Sequence, residues 1–519
     1  MKRISFVLIF LLLVLSACGK ISNELERNAV KIHLSDEGIH VDGKPAGIDV
    51  TSAVYTANDI VYYEAGKDFT YGEGIEKDAH STKEADAHTV VHITKPGRYV
   101  LSGELSLGQI AVDLGEDAET DPEAVVTLIL KDVDITCEVA PAIIFYNVYE
   151  CCSRDEEKAT KDVDTSKAGA NVIIADGTEN NINGSYVEKI YKSYELNEDG
   201  TEVIDSKKLH KYDGAFYSKN TMNINGGNKG NGILNIQAEN EGLDSELHLT
   251  INGGIINITS GNDGINTNED NVSVTTMNGG TLNILCDGAT GEGDGIDSNG
   301  WLVINGGTVI AQACATSGDA GIDSDKGIYI NGGKVIATGN MFDHIAGGDQ
   351  TYAVFSFANR QNGNSTYTLK NSNKKVIFEY APVNGHTYLI IAGDELVPGE
   401  YTFWQGTTQL TGSSMKNMQG GMQQGERPER PQGEQNEKGT PPEVPDGMER
   451  PEPPSGERPQ MPNGERPEMP EGIENMTPPD NVGGMMGGNK MTNGEMSTTF
   501  ILATGGNQFV NVSPAESSK

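Results

Sequence analysis

Between Met222 and Ala337 apolar and polar residues alternate in short runs that return at an almost constant step. Asn-Gly-Gly marks that step, with copies beginning at Asn225, Asn252, Asn278, Asn305 and Asn331, separated by 27, 26, 27 and 26 residues. A fixed period of this size is the mark of a solenoid. Before each Asn-Gly-Gly the apolar residues alternate, as Met222/Ile224, Leu249/Ile251, Leu302/Ile304 and Ile328/Ile330. After it they alternate again, as Ile256/Ile258, Leu282/Ile284, Val309/Ala311 and Val335/Ala337. A period of two predicts strands with one buried face. The glycines supply the positive φ that a corner between two strands needs.

A third element precedes each corner: Asp213-Gly-Ala-Phe-Tyr, Glu241-Gly-Leu-Asp-Ser, Asp263-Gly-Ile-Asn-Thr, Asp294-Gly-Ile-Asp-Ser and Ala320-Gly-Ile-Asp-Ser. Three short strands and three corners in about 26 residues make one coil of a parallel β-helix. Leu243, Ile265, Ile296 and Ile322 then stack as an interior ladder. The Gly-Gly-x-Gly-x-Asp period of a nonapeptide calcium roll is absent, and a one-direction repeat disfavours an up-and-down antiparallel sheet. The expected fold is therefore all-β, a solenoid with coils of about 26 residues.

The same logic extends outward less regularly. Gly97–Gly103, 109–114 and 125–136 read as strands of the first coils, and 153–170 and about 186–212 as charge-rich loops. After Ala337 the repeat stops. Thr366–Leu369, Lys375–Tyr380, Tyr388–Ile391 and Tyr401–Trp404 read as strands of a small antiparallel β cap, which a solenoid needs to protect its last edge. From about 413 to 496 the composition turns to Gly, Pro, Glu, Arg, Gln and Met. With almost no aliphatic residues this stretch cannot bury a core and is expected to be a disordered low-complexity insert. Strand character returns at Thr498.

The N-terminus adds a location. Lys2 and Arg3 precede the apolar run Ile4–Leu15, too short to span a bilayer. It closes on Leu15-Ser16-Ala17-Cys18, which looks like a lipobox whose Cys18 is lipidated. The expected organisation is a signal peptide at 1–17, a tether with lead-in strands at 18–84, the β-helix at 85–345, the cap at 346–412, the insert at 413–496, and a final strand and tail at 497–519. An extracytoplasmic chain, lipid-anchored to the membrane at the cell surface, follows. Five of the six cysteines remain after Cys18, an odd number, so at least one is unpaired. None has zinc-site spacing. Counting alternation places Cys286 inward and Cys314 outward, which argues against a bond between them.

Charge narrows the partners. With 75 Asp+Glu against 38 Lys+Arg, the chain carries a formal net charge of −37, which disfavours nucleic acid and anionic membrane surfaces. Equivalent positions on successive coils of a parallel β-helix lie about 4.8 Å apart. The first position of the third element reads Asp213, Glu241, Asp263, Asp294, and the fourth reads Asp244, Asn266, Asp297, Asp323. Two like charges at that spacing repel by roughly 3–4 kcal/mol at an effective dielectric of ~20. A bridging cation relieves this, and calcium accepts carboxylate and carbonyl oxygens in flexible numbers. Candidate ligands are Glu241, Asp244, Asp263, Asp294, Asp297, Asp323 and Asp325. Hydrated Asx turn caps are the alternative.

Calcium in such a solenoid either stiffens it or bridges to a carboxylated polysaccharide. Trp301 is expected to point outward because Leu302 and Ile304 point in, and register places Val274 and His248 in the same outer column. Trp301 and His248 are therefore the candidate carbohydrate contacts. Catalytic signal is thin. Uronate β-elimination needs a base beside the metal, and Lys219 and Lys326 are the nearest lysines, each by default solvated. No catalytic residue is assigned.

The lipobox, Tyr99-Val-Leu-Ser-Gly103, the Gly-Ile-Asp-Ser and Asn-Gly-Gly coils, and Asn507-Gln-Phe-Val-Asn-Val together resemble a known family. These are bacterial carbohydrate-binding parallel β-helix surface proteins that look like calcium-dependent pectate lyases of polysaccharide lyase family nine. The resemblance covers about residues 85–410 and the final strand. It implies a right-handed helix, bound calcium, and affinity for cellulose or a polygalacturonate-like acidic polysaccharide without established cleavage. The sequence departs from it at Ala320, where Asp319 is the nearest acid, and at the fourth position of the first coil, read as Phe216. The leading expectation is a calcium-stabilised carbohydrate-binding surface lipoprotein. A calcium-dependent polysaccharide lyase and a structural adhesin are the alternatives.

Overall fold

The structure is a computed structural model that describes residues 26–58, 60, 83, 87–187, 191–197, 199–208, 212–415 and 495–515. The expected signal peptide at 1–17, Cys18 and nearly all of the low-complexity stretch lie outside the described residues. The chain is all-β. Among the described residues the bounded helical segments are two short 3-10 turns, Glu116–Thr120 and Glu156–Lys158. Among the described residues no helix is long and apolar enough to cross a membrane.

Three ladders organise the strands. The first runs Val30–Leu34, Gly97–Leu105, Val126–Cys137, Ala170–Ile174, Met222–Gly226, Leu249–Ile251, Val274–Met277, Trp301–Ile304, Gly327–Ile330 and Ile345–Gly347, every pair parallel. The second starts in the latter half of Val126–Cys137. It continues through Glu179–Gly184, Ile233–Ala238, Ile255–Ser260, Thr281–Cys286, Thr308–Gln312 and Lys334–Gly339, again all parallel. The third joins Thr89–Ile93, Gly108–Asp113, Ile143–Asn147, Gly214–Ser218, Glu241–Ser245, Ile265–Thr267 and Ile296–Ser298. The repeats that open at 213, 241, 263 and 294 each contribute one strand to each ladder, whereas the copy at Ala320 contributes strands to the first two ladders and only an isolated bridge, Ala320 to Met341, in place of the third. The first ladder begins earlier than expected, because the lead-in strand Val30–Leu34 forms its outermost rung.

Two features hold the rungs in register. The Asn-Gly-Gly asparagines form an amide chain in which each Nδ2 donates to the Oδ1 of the rung before. These bonds are Asn252 to Asn225 (2.9 Å), Asn278 to Asn252 (2.8 Å), Asn305 to Asn278 (2.8 Å) and Asn331 to Asn305 (2.7 Å). From the Asn252 copy onward the second glycine adopts a positive φ, 87° at Gly280 and 82° at Gly307. A Cβ on Gly307 would lie 2.7 Å from the Gly280 carbonyl oxygen, so the coils approach too closely there for a side chain. A second amide chain links Asn283, Asn257, Asn235 and Asn181 across the second ladder.

The interior follows the alternation. Leu243, Ile265 and Ile296 are aligned in the third ladder and, with Ile322, are essentially fully buried. One register was misread. Gly214, not Asp213, pairs with Glu241, so Phe216 aligns with Leu243 and Tyr217 with Asp244. Phe216 is thus a core residue stacked on Phe145, with centroids 6.4 Å apart. The repeated Asp/Glu-Gly dipeptide suggested the wrong alignment, and burial of the large aromatic sets the real one.

The second ladder ends against the antiparallel strand His386–Ala392. That strand belongs to a cap with a separate core in which Phe355, Phe403, Phe500 and Phe509 pack together. The cap includes Tyr352–Gln361 and Thr408–Ser414 besides the expected strands. Gly506–Pro514 pairs with both, so the segments on either side of the low-complexity stretch return to one sheet. The interruption at 186–212 is not all loop: Tyr191–Leu196 and Val203–Lys208 form a hairpin.

Candidate functional site

The acids gather where the second ladder turns into the third. At the entrance, Asp263 Oδ1 accepts the Asp294 N–H at 2.6 Å, and Asp294 Oδ1 accepts the Ala320 N–H at 2.5 Å. Asp319 Oδ2 accepts the Gly293 N–H at 2.6 Å. At the fourth position Asp244, Asn266 and Asp297 are in register. The Asp323 N–H continues the stack by donating to Ile296 O at 2.7 Å. Carboxylates of one column thus accept amides of neighbouring rungs, which fixes them without supplying any positive charge.

Their electrostatics follow from that placement. Burial pushes the Asp244 carboxyl well above the usual range, and the charges of Glu241, Glu246 and Asp213 push it further. Asp263 is raised by burial and then by Glu241, Asp294 and Asp297. Asp294 is pushed up to about 9 by burial and by Asp323, with Asp297 and Asp319 adding to it. Each side chain favours a proton or a cation at neutral pH.

The donor set fits a hard cation. Every candidate ligand is an oxygen, as calcium prefers. Asn266 donates Nδ2 to Glu241 Oε1 at 3.1 Å, which leaves its buried Oδ1 with no hydrogen-bond partner among the described residues. Among those residues no three carboxylates of the column bring oxygens within 4.8 Å of one another. A cation held here would draw further ligands from Asn266 Oδ1, backbone carbonyls and water. Asn266 is a donor that a search for acids alone passes over.

Several sequence expectations fall elsewhere. Asp325 is exposed and lies two residues beyond Asp323 along the strand direction, its N–H on Ser298 O. Lys219 follows Ser218, at the far end of the strand from Asp213, and pairs with Glu119 at 2.8 Å. Lys326 pairs with Glu156 at 3.7 Å. Neither stands at the acid column as a base would.

The outer column of the first ladder has the register expected, with Val274 opposite Trp301, but not the exposure. His248 is 2% exposed and Val274 0%. The polar segment 149–169 lies across this face. Thr165 Oγ1 donates to Thr250 Oγ1 at 2.9 Å, Arg154 pairs with Glu269 at 2.8 Å, and Lys161 sits over the Tyr329 ring. Trp301 stays half-buried, with Lys326 Nζ 5.7 Å from its ring centroid. Alternation gives the direction of a side chain but not what an insertion folds over it.

Two clefts flank these faces. One of about 450 Å³ lies between segment 161–166 and Asn252, Asn278 and Asn305. A larger one of about 880 Å³ is lined by Glu138, Asn183, Tyr186, Gln237, Glu239 and Asp287 among others. It opens beside the corner that carries the acids. All five described cysteines are free. Cys286 is buried as expected and donates Sγ to Asp294 O at 2.9 Å. Cys314 is also buried, contrary to the count. Its strand ends at Gln312, so alternation no longer applies two residues later.

Fold and site together define an all-β protein of stacked parallel ladders with a buried acid column. The chain belongs to the carbohydrate-binding domain-containing protein family, whose model matches residues 87–396, more than half of its length. Among solved structures it is similar to a polysaccharide lyase-like protein from C. thermocellum, studied as a gadolinium derivative. Identity is 20%, the match covers 62% of this chain and 99% of that chain, and the TM-score is 0.33. No curated protein matches the chain.

Proposed function

We propose that this chain is an exported, lipid-anchored surface protein that binds polysaccharide without cleaving it, through a right-handed parallel β-helix that calcium stabilises. Family membership over residues 87–396 carries the reading. The unbroken parallel order of three ladders supports coils spanning 85–345, with a cap after them. The raised carboxyls of Asp244, Asp263 and Asp294 support calcium. Glu241, Asn266, Asp297 and Asp323 are the remaining residues that would hold it. The ion would neutralise the column and lock adjacent coils together. Anchoring at Cys18 rests on the lipobox.

The carbohydrate surface we assign is the larger cleft. Its amides and carboxylates match sugar hydroxyls, and Tyr186 offers a ring for stacking. A sugar on Trp301 would have to displace Lys326 from the indole. His248 is too buried to reach one. A lyase is disfavoured because Lys219 and Lys326 are committed to Glu119 and Glu156, away from the column. A glycan screen with and without calcium, including cellulose and polygalacturonate, tests the reading. Absence of binding to every glycan would favour the adhesin. Steady release of unsaturated uronate would establish the lyase.

A further inference from the structure

We propose that Cys151 and Cys152 form a reactive vicinal dithiol, in which Cys152 attacks low-molecular-weight disulfides and Cys151 resolves the adduct. The pair stands at the root of the segment that crosses the first ladder. The two Sγ atoms are 3.3 Å apart, and both lean toward Asp164 O, at 4.0 and 3.9 Å. Both residues are half-buried and so remain reachable, whereas Cys137, Cys286 and Cys314 are buried. The backbone here is pinned by Glu150. Its Oε1 accepts Cys152 N–H and Thr221 Oγ1–H, each at 2.8 Å, and its Oε2 accepts Thr221 N–H at 2.7 Å.

His248 selects between thiol chemistry and metal binding. The Val274 N–H donates to its Nδ1 at 3.0 Å. In the neutral ring the proton therefore sits on Nε2, and His248 acts to draw the Cys152 thiol down. A nitrogen that carries a proton cannot also ligate a metal. Glu150, Cys151 and Cys152 do bring ligand atoms within 4.8 Å of one another. Without His248 that trio lacks the fourth protein ligand of a closed structural site. Donation from Cys151 and then from His248 instead draws the Cys152 thiol down to about 5, against the effect of burial. Cys151 is pushed upward, first by the same hydrogen bond. One thiol is ionised at neutral pH and its neighbour holds a proton in reserve, which is the division of labour between attacking and resolving thiols.

The chemistry balances. The Cys152 thiolate attacks one sulfur of a disulfide RSSR, forming Cys152–S–SR as the RS–SR bond breaks and one RS⁻ leaves. Cys151 then gives its proton to solvent and attacks Cys152 Sγ. A Cys151–Cys152 bond forms and the second RS⁻ departs. Two protein thiols are oxidised to one disulfide, and RSSR is reduced to two thiols.

The test uses the reduced full chain and 5,5′-dithiobis(2-nitrobenzoate) at pH 7, with peptide mass mapping to separate this pair from other cysteines. The wild-type 151–152 peptide should end two hydrogens lighter, with two equivalents of thionitrobenzoate released. C151S should stop at a stable mixed disulfide on Cys152 after one equivalent. C152S should slow the first release roughly tenfold, the advantage of a thiolate over an ordinary thiol near neutrality less its lower nucleophilicity. The near-isosteric serine variants are expected to fold, and retention of the wild-type melting temperature checks this. Undiminished reactivity in C152S, or a wild-type adduct that persists on Cys151, would overturn the proposal. So would stoichiometric, tight zinc binding that protects both thiols, since it would establish a metal centre instead.

Discussion

Asp263 Oδ1 accepts the backbone N–H of Asp294 at 2.6 Å, so the first acid of one coil is fixed to the first acid of the next. The contact aligns two rungs and holds two carboxyls in a shared buried setting, where the Asp294 charge raises Asp263. The column is therefore both an element of register and a store of repulsion.

One consequence is a pH dependence of stability. Asp294 titrates near 3.8 when exposed and is pushed up to about 9 in the fold. Asp244 and Asp263 shift in the same direction. The folded state thus holds protons that the unfolded state releases. Their contribution is fully present below the ordinary carboxylate range and is lost as pH rises through the folded value. In chelator, the melting temperature should fall between pH 5 and pH 9, and calcium should flatten that slope. A metal-free melting temperature that climbs over this range would refute the assignment.

Substitution separates repulsion from ligation. Asp294→Asn keeps an oxygen for the Ala320 N–H but no longer has to take up a proton on folding at neutral pH. It should stabilise the metal-free protein at neutral pH by about 1 kcal/mol and shrink the calcium-induced rise in melting temperature. If calcium still stabilises D294N as much as the parent, Asp294 is not a ligand.

The amide chain makes a graded prediction. Asn278 both donates to Asn252 and accepts from Asn305, whereas Asn331 at the end only donates to Asn305. Asn278→Ala should cost about 1 kcal/mol in urea unfolding and Asn331→Ala roughly half as much, since one bond rather than two is lost. Equal costs would mean that the bonds contribute little beyond local turn geometry.

Corner glycines should be far less tolerant than loop glycines. Gly307→Ala meets both a φ of 82° and the Gly280 carbonyl at 2.7 Å. It should cost more than ~2 kcal/mol. Gly318→Ala has nothing within 4 Å of its added Cβ and should be close to neutral. Thermal unfolding of the pair decides it.

For the binding surface, Tyr186→Ala should weaken glycan affinity about tenfold, the usual effect of removing a central aromatic anchor. Trp301→Ala should change it less than about twofold, because Lys326 already occupies that ring. Calorimetry with whichever glycan the screen identifies would measure both. The reverse ranking would move the site to the first ladder.

The repeat was readable because every copy solves the same packing problem. Alternation about Asn-Gly-Gly located the strands of the first two ladders to within a residue or two, and Gly-Ile-Asp-Ser located the third. Legibility failed where coils stop being alike. Asp213-Gly looked equivalent to Glu241-Gly, yet Phe216 takes the interior place and shifts the pairing by one. Cys314 lay beyond its strand, and the hairpin at 191–208 carries no period to reveal it.

What the sequence determined by itself is local and periodic: strand spacing, corner glycines, the face each residue presents, and the columns in which the acids fall. These follow from backbone sterics and from the two-residue period of a strand. Only the tertiary structure decided what covers those faces and how strongly the column's charges are felt. Segment 149–169 crosses the face that carries the buried His248, which draws down the Cys152 thiol of that segment. Asn266 joins Glu241 across a coil, and Asp325 is left exposed two residues from its neighbour in the column. Burial and long-range contact depend on residues far apart in the chain, and no repeat carries that information.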